Sequence, residues 1–265
     1  MLAQQLINGL MLGASYSLVA IGYTLIFGVL RLLHFAHGEV FMMGAFIGLH
    51  IVLLFAGANI YIAIAGASLA TGILGMVIAY VAVRPVSSDY PLAPLVSTIG
   101  VTIVLQNLAI YIFGGEQVAF PETIETLLYR FGPVTISSVQ IFILVVALVS
   151  MAALWLFIDR TRMGRAIRAT SESHETAALL GVNVNQVVLT TFFLASLLAG
   201  IAGVLDGIKN SAISPHMGLE VAIKGLVVML FGGLGNVPGA MVAGILLGMI
   251  EILTAAYLGT SVRDF

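Results

Sequence analysis

Residues 6–30 read LINGLMLGASYSLVAIGYTLIFGVL, a run of 25 residues without a charged side chain. As an α-helix this run would rise about 37 Å, which exceeds the roughly 30 Å hydrocarbon thickness of a bilayer. Its length and composition therefore predict a membrane-spanning helix that crosses with some tilt.

The same apolar character extends over the whole chain of 265 residues, of which 60% are hydrophobic and only 8% are charged. Soluble domains carry about 25% charged residues, so the composition excludes a soluble globular protein. The chain has no cysteine, which excludes disulfides, thiolate metal sites and cysteine nucleophiles. A net charge of −2 gives no reason to expect nucleic acid as a partner.

Charge-poor runs predict about eight spans, and hence an all-α, polytopic membrane helical bundle that forms one domain over residues 1–265. The stretch SSDYPLAP at 87–94 is typical of a turn, so the span beside it is predicted to be broken or re-entrant. The predicted spans are 6–30, 35–55, 60–83, 92–113, 139–158, 187–208, 217–234 and 238–258.

Arginines set the predicted orientation of the bundle. Four of the ten basic residues lie in the polar stretch 159–186, and the excess of Lys and Arg in cytoplasmic loops places this stretch inside the cell. Alternation through the spans then places Arg31 and Arg84 inside as well. It places the N-terminus and the acidic 114–138 loop on the periplasmic side.

The cytoplasmic stretch contains a predicted short helix over 170–180. Ser171 or Ser173 is suited to cap it, Glu172 and Glu175 are favourable at its positively charged N-terminal end, and Gly181 is suited to end it. Two interpretations stay open: the helix docks a soluble partner, or the stretch is a connecting loop whose arginines contact anionic membrane lipid. The apolar face of the helix is formed by Ala177, Ala178, Leu179 and Leu180.

Glycines repeat at one-turn spacing in several predicted spans. Such pairs allow two helix backbones to approach closely, so they predict a compact bundle. The pairs are Gly9/Gly13, Gly44/Gly48, Gly203/Gly207, Gly235/Gly239 and Gly244/Gly248.

Charged residues within spans are candidates for function because they are costly in lipid. Glu39 and Asp206 lie near predicted span ends, whereas Glu251 lies deepest in its span. Glu220 and Lys224 are four residues apart, which predicts a pair on one helix face.

Several chemical activities lack their sequence requirements. His34, His37 and Glu39 are spaced i, i+3, i+5, which does not place them on one helical face, so no metal site is predicted. Gly38 is instead predicted to break the chain between two helices. Ser15 has no motif supplying a base, and no GxxxxGK[ST] motif occurs, so any ATP hydrolysis has to come from another chain.

Four stretches in order resemble the permease subunits of branched-chain amino-acid ABC importers. The opening stretch, QQLINGLMLGASYSLVAIGYTLIFGVLRLLHFAHGEVFMMGAF at 4–46, contains the most specific segment, FAHGE at 35–39. The resemblance covers essentially the whole chain and is to the first of the two paired permeases. The other stretches are MGRAIRATSESHETAALLGVN at 163–183, GIAGVLDG at 200–207 and SPHMGLEVAIKGLVVMLFGGLGNVPGAMVAGILLG at 214–248.

The resemblance implies a non-catalytic, cofactor-free subunit of an ATP-driven importer in the inner membrane. It implies a heterodimeric pore with a second permease, two cytoplasmic ATPase subunits and a periplasmic solute-binding protein. Glu39 and Glu251 are the candidates for a pore or gating role. The ATPase-coupling positions within 159–186 would be Glu175, Ala177, Ala178 and Gly181.

The resemblance favours small hydrophobic amino acids as substrates, with urea, short amides or aromatic acids as alternatives in the same importer class. A standalone secondary transporter is the alternative from a different class, and it would require a coupling-ion site of intramembrane carboxylates. Family members usually finish with one more span and a short cytoplasmic tail after the position of Phe265, so two interpretations stay open: the chain continues beyond Phe265, or this member is short.

Overall fold

The structure, a computed structural model, describes residues 2–55, 59–86, 92–132 and 134–259. Within these ranges seven helices are long and apolar enough to cross a membrane, which confirms an all-α polytopic bundle. Residues 87–91 of the predicted broken stretch lie outside the described residues, and a helix begins directly after it at Ala93. The helices are α1 (Leu2–Leu30), α2 (His37–Leu54), α3 (Ile60–Ile78, continued by a π-helical turn at Ala79–Val83), α4 (Ala93–Phe113), α5 (Ser138–Arg160), α6 (Arg162–Glu172), α7 (His174–Leu179), α8 (Val184–Asn210), α9 (Met217–Gly232) and α10 (Val237–Tyr257).

Short strands close one end of the bundle. Strands β2 (Leu128–Phe131) and β3 (Val134–Ser137) form an antiparallel hairpin that leads directly into α5. Strands β1 (Val118–Ala119) and β4 (Ala212–Ile213) also pair antiparallel, and so tie the loop after α4 to the end of α8. Because α5 separates the hairpin from α6 and α7, the strands and the two short helices lie at opposite ends of the bundle.

α1 and α10 pack backbone to backbone because glycines remove the side chains between them. A Cβ atom on Gly13 would lie 2.5 Å from Ile245 Cα, and one on Gly9 would lie 2.7 Å from Met249 Cα. The reversed order of these contacts makes the two helices antiparallel. α2 and α8 approach each other equally closely, because a Cβ atom on Gly44 would lie 2.5 Å from the Cα of residue 200.

α9 is shorter than the span predicted for it at 217–234. Its 16 residues rise about 24 Å, which is less than the thickness of the hydrocarbon core. A Cβ atom on Gly218 would lie 2.8 Å from both Gly38 O and Glu39 Oε2, so α9 begins beside the first turn of α2. Gly225 packs against the Tyr23 ring, which places α9 along the C-terminal half of α1.

The chain between α1 and α2 turns at a different residue from the one predicted. Arg31 has φ +55° directly after α1, and α2 begins at His37. Gly38 lies inside the first turn of α2 and does not break a helix. Its missing side chain serves packing instead, because a Cβ atom there would collide with the backbone oxygen of Gly218.

The predicted helix over 170–180 is divided at Ser173. Residues before it belong to α6, which is capped by Thr161, whose Oγ1 accepts a hydrogen bond from Gly164 N at 2.9 Å. Ser173 Oγ accepts from Thr176 N at 3.2 Å and caps α7. The chain leaves α7 at Gly181, whose φ of +83° favours glycine.

Candidate functional site

A cavity of about 450 Å³ lies between α1, the end of α8, strand β4 and the first turns of α9. It is bordered by the pairing of β1 and β4, so it lies toward the strand end of the bundle and away from α6 and α7. Side chains of both charges line it, and we call it the mixed-charge cavity. Its charged and polar lining includes Tyr16, Asp206, Lys209, His216, Glu220 and Lys224.

Three helices meet at a buried polar triad in the wall of this cavity. Lys224 Nζ on α9 lies 2.9 Å from Glu251 Oε1 on α10. The hydroxyl of Tyr16 on α1 donates to Glu251 Oε2 at 2.8 Å, and Lys224 Nζ donates to that hydroxyl at 2.9 Å. Glu251 is only 5% exposed, so its charge is balanced inside the protein and not by water.

The triad corrects one expectation and extends another. Lys224 was expected to pair with Glu220 one turn away, but its ion pair is with Glu251, 27 positions along the chain. Glu220 is exposed and lines the cavity. The deep position expected for Glu251 is observed, and its neighbours Tyr16 and Lys224 both line the cavity.

The last turns of α8 supply the opposite wall. Asp206 is half-buried, and its Oδ2 accepts a hydrogen bond from Asn210 Nδ2 at 3.0 Å. Lys209, Glu220 and Lys224 lie near enough to Asp206 for their charges to act on its carboxylate. Among the described residues, the apolar lining has no aromatic ring besides that of Tyr16 and is formed by Leu12, Ala212, Ile213, Met217 and Val221.

Glu39 lies outside the cavity, in a buried polar cluster at the start of α2. Its Oε2 has no hydrogen-bond partner among the described residues, and neither ring nitrogen of His34 has one there. His37 packs its ring 4.6 Å from that of Tyr23, between centroids. Among the described residues no three His, Cys, Asp or Glu side chains are grouped so that they could hold a metal ion.

The four coupling residues are far along the chain from the cavity and differ in exposure. Glu175, Ala178 and Gly181 are exposed, whereas Ala177 is buried against the bundle. The apolar face predicted for this helix is therefore split. Its outward side ends in two large apolar side chains, with Leu179 exposed by 88% and Leu180 by 77%.

Sequence reasoning missed two features of the cavity. Asp206 was treated as a residue near a span end, and Lys209 was not considered as part of a site. Asp206 and Lys209 are three residues apart on α8, so the acid and the base lie on one face of the helix within one turn. That spacing was the available signal. The role of Tyr16 had none, because its partners are distant in sequence.

Comparison with known proteins agrees with this architecture. A family model described as "Branched-chain amino acid transport system / permease component" matches residues 5–264. No solved structure matches the chain.

Curated relatives match almost the full chain. The high-affinity branched-chain amino acid transport system permease protein BraD of Pseudomonas aeruginosa is 38% identical over 98% of this chain and 89% of its own length. The corresponding protein LivH of Salmonella typhimurium is 37% identical over 98% of this chain and 88% of its own. A probable LivH of Methanocaldococcus jannaschii is 25% identical over 92% of this chain and 78% of its own. The chain is therefore a multi-pass membrane protein that belongs to the branched-chain amino acid transport system permease family.

Proposed function

We propose that this chain is the membrane-spanning permease subunit of an ATP-driven importer for branched-chain amino acids. The observation that carries the proposal is the identity of 37–38% over 98% of the chain to relatives named as high-affinity branched-chain amino acid permeases. The mixed-charge cavity supports it, because charges of both signs beside an apolar lining suit a small polar solute with an apolar side chain.

The importer contains other subunits. The chain forms a translocation pathway with a second permease, receives its solute from a periplasmic binding protein, and is driven by two cytoplasmic ATPase subunits. It is not itself an enzyme: its sequence has no GxxxxGK[ST] motif, so hydrolysis occurs on the ATPase subunits.

Coupling to the ATPases occurs through 159–186, with α7 as the contact. Exposed leucines are costly in water, so Leu179 and Leu180 favour a protein partner at this helix. Glu175, Ala178 and Gly181 lie on the exposed side with them, and Ala177 anchors α7 to the bundle.

The orientation is an inner-membrane one with α6 and α7 in the cytoplasm. The arginines at positions 160, 162, 165 and 168 support it through the positive-inside rule. The strand end, the mixed-charge cavity and the N-terminus then lie toward the periplasm, where a binding protein delivers solute. Glu251 shapes the cavity by holding Lys224 in its wall. Glu39 lies where the start of α9 contacts the first turn of α2, and its proposed role is in the pore or in gating.

Uptake by the complete importer tests the proposal. Cells that lack their own branched-chain importer should accumulate radiolabelled leucine when this chain is expressed with its partner subunits, and should not when this chain is omitted. An ATPase subunit with a disabled nucleotide motif should abolish uptake, whereas ATP-independent uptake would favour a secondary transporter. Uptake of urea or an aromatic acid without leucine would overturn the proposed substrate.

A further inference from the structure

We propose that a second cavity, at the α6 and α7 end of the bundle, binds an anionic phospholipid, with Arg31 and Arg84 holding the phosphate and an apolar wall holding the acyl chains. We call it the arginine cavity. It shares no lining residue with the mixed-charge cavity and lies at the other end of α1 and α8. The inference concerns lipid and not solute, so it goes beyond the proposed function and does not depend on which substrate the importer carries.

The arginine cavity, of about 520 Å³, lies where three spanning helices end or begin. α1 ends at Leu30, α3 with its π-helical turn ends at Val83, and α8 begins at Val184, and these three residues line the cavity. Pro94 at the start of α4 and His174 at the start of α7 also line it. Because the ends of spanning helices lie near the lipid headgroups, a ligand here meets both the headgroup region and the hydrocarbon core.

The charge of the lining has one sign. Among the described residues, Arg31 and Arg84 are its charged members, and no carboxylate lines the cavity. Arg31 donates a hydrogen bond to Ser171 O at 3.2 Å, and the guanidinium of Arg84 lies 5.5 Å from the centroid of the Tyr80 ring. Within the described part of the chain, neither guanidinium forms an ion pair with a carboxylate. Each arginine has five N–H donors, so donors remain for a ligand.

Two arginines without counterions favour an anion, and the planar guanidinium suits the oxygens of a phosphate group. The half-buried ring of His174 offers a further polar contact beside them. Glu172 and Glu175 flank His174 in sequence, but both are exposed and neither lines the cavity. The lining therefore attracts a negative headgroup and places no carboxylate against it.

The rest of the lining distinguishes a lipid from a free anion. Most of the lining side chains are apolar, and an inorganic anion would leave them in contact with water. Acyl chains beside the phosphate would cover them. The volume lies within the roughly 300–1,000 Å³ of small-molecule sites, so it admits more than a phosphate ion. The apolar wall includes Leu30, Leu32, Val83, Val86, Val188 and Leu189.

The backbone at Arg31 is strained. Its φ of +55° lies in the left-handed region, which favours glycine, although the residue carries a long charged side chain. Strained backbone is common at ligand sites, where the position of a side chain is worth its cost. Arg31→Gly removes the guanidinium and relieves the strain, so it separates a role in lipid binding from a role in folding.

Lipid binding by the assembled complex tests the inference. The complex of both permeases and the ATPases is purified in detergent, and native mass spectrometry measures its binding of phosphatidylglycerol and phosphatidylcholine with the same acyl chains. Phosphatidylglycerol should bind about tenfold more tightly, because the choline group neutralises the headgroup that the arginines would hold. Inorganic phosphate, added as a competitor, should not displace it, because phosphate makes no contact with the apolar wall.

Variants locate the site on this chain. Arg31→Gln and Arg84→Gln should each weaken phosphatidylglycerol by about fivefold and leave phosphatidylcholine unchanged. Arg162→Gln is the matched control, because Arg162 is an exposed arginine at the same end of the bundle that does not line the cavity. Val188→Trp should weaken both lipids, because it fills the apolar wall and keeps both arginines. Arg31→Gly should lose phosphatidylglycerol as Arg31→Gln does, without a lower thermal midpoint in lipid-free detergent.

Several outcomes would overturn the inference. Equal binding of the two lipids by the wild-type complex would exclude a site for an anionic headgroup, and equal losses in Arg84→Gln and Arg162→Gln would show only general attraction to positive charge. Displacement by inorganic phosphate would indicate a free-anion site, and no lipid binding at all would show that a partner subunit covers the cavity. Leucine uptake by the complete importer is measured separately, so selective lipid binding without leucine uptake would overturn the proposed function and leave the lipid site standing.

Discussion

Lys224 on α9 and Glu251 on α10 form an ion pair of 2.9 Å that is closed by the hydroxyl of Tyr16 on α1. The pair joins the short α9 to the two helices that pack most closely in the bundle. Because Glu251 is buried and Lys224 is only 27% exposed, the ion pair is largely shielded from solvent. Loss of either partner therefore leaves a poorly solvated charge without its counterion.

Removal of one charge from this pair should be worse than removal of both. Glu251→Leu and Lys224→Met should each lower the stability of the protein by on the order of 3 kcal/mol, whereas the double variant should recover most of the loss. The measurement is the thermal midpoint of the purified complex in detergent, followed by fluorescence-detected size exclusion. Additive losses in the double variant would contradict a coupled pair.

The isosteric change Glu251→Gln separates charge from shape. The amide oxygen still accepts a hydrogen bond from Tyr16, but the counter-charge of Lys224 is lost. We expect lower leucine uptake together with a lower thermal midpoint. Unchanged uptake and assembly would remove Glu251 from the residues proposed for the pore.

Close packing of α1 and α10 should tolerate no side chain at Gly248. A Cβ atom there would collide with the backbone of Gly13, so Gly248→Ala forces the helices apart and should destabilise the protein by about 1–3 kcal/mol. Gly100→Ala is the matched control, because a Cβ atom on that residue of α4 meets nothing within 4 Å. Thermal midpoints of the two variants give the comparison, and an equal effect would argue against backbone contact.

The sequence predicts features that are local along the chain. Runs without charge located the spanning helices, and Ser173 and Gly181 marked the start and the end of α7 because capping depends on neighbouring residues. The division between α6 and α7 was missed because residues 170–172 also have helical propensity. The hairpin of β2 and β3 was missed because four-residue strands give only a weak periodic signal, although VTIS at 134–137 alternates as a strand does.

Features that depend on long-range packing were not predictable from one sequence. The i, i+4 rule favoured Glu220 as the partner of Lys224, but the rule counts only contacts within one helix. Lys224 pairs with Glu251 instead, because α10 packs against α9 and offers a buried site where the ion pair is shielded from water. The mixed-charge cavity has the same origin: its lining brings together Tyr16 on α1 and Lys224 on α9, which are 208 positions apart.

Coupling to the ATPases should depend on the surface of α7 and not on the fold of the bundle. Gly181→Trp should reduce co-purification of the ATPases and abolish uptake, because it adds a bulky group and strains a residue with φ +83°. Gly114→Trp is the matched control: its φ is +88°, it also has open space for a Cβ atom, and it follows α4 at the strand end of the bundle, away from α7. Glu175→Lys should give a milder loss by reversing charge at the start of α7.

Retention of the ATPases with normal uptake in Gly181→Trp would refute the docking role of α7. A double change of Leu179 and Leu180 to Asp provides a second test, since both side chains are exposed and their loss should leave the bundle folded. Equal loss of the ATPases in Gly114→Trp would show that strain, and not position, causes the defect.

Cysteine labelling should resolve the orientation, because the chain has no cysteine of its own. An impermeant maleimide added to spheroplasts should label Glu116→Cys, which is exposed before β1, and should label Glu172→Cys only after the membrane is permeabilised. Labelling of Glu172→Cys from the outside of intact spheroplasts would invert the proposed topology.

The glycine contacts between α1 and α10 limit how the transporter changes shape. Backbone atoms of α1 and α10 meet directly at Gly13 and Gly248, so we expect these two closely packed helices to move together. Shear has to occur at boundaries where longer side chains intervene. We therefore expect α1 and α10 to stay fixed relative to each other while other helices move. Because Lys224 joins α9 to this pair, a displacement of the helices around α9 would change the shape of the mixed-charge cavity.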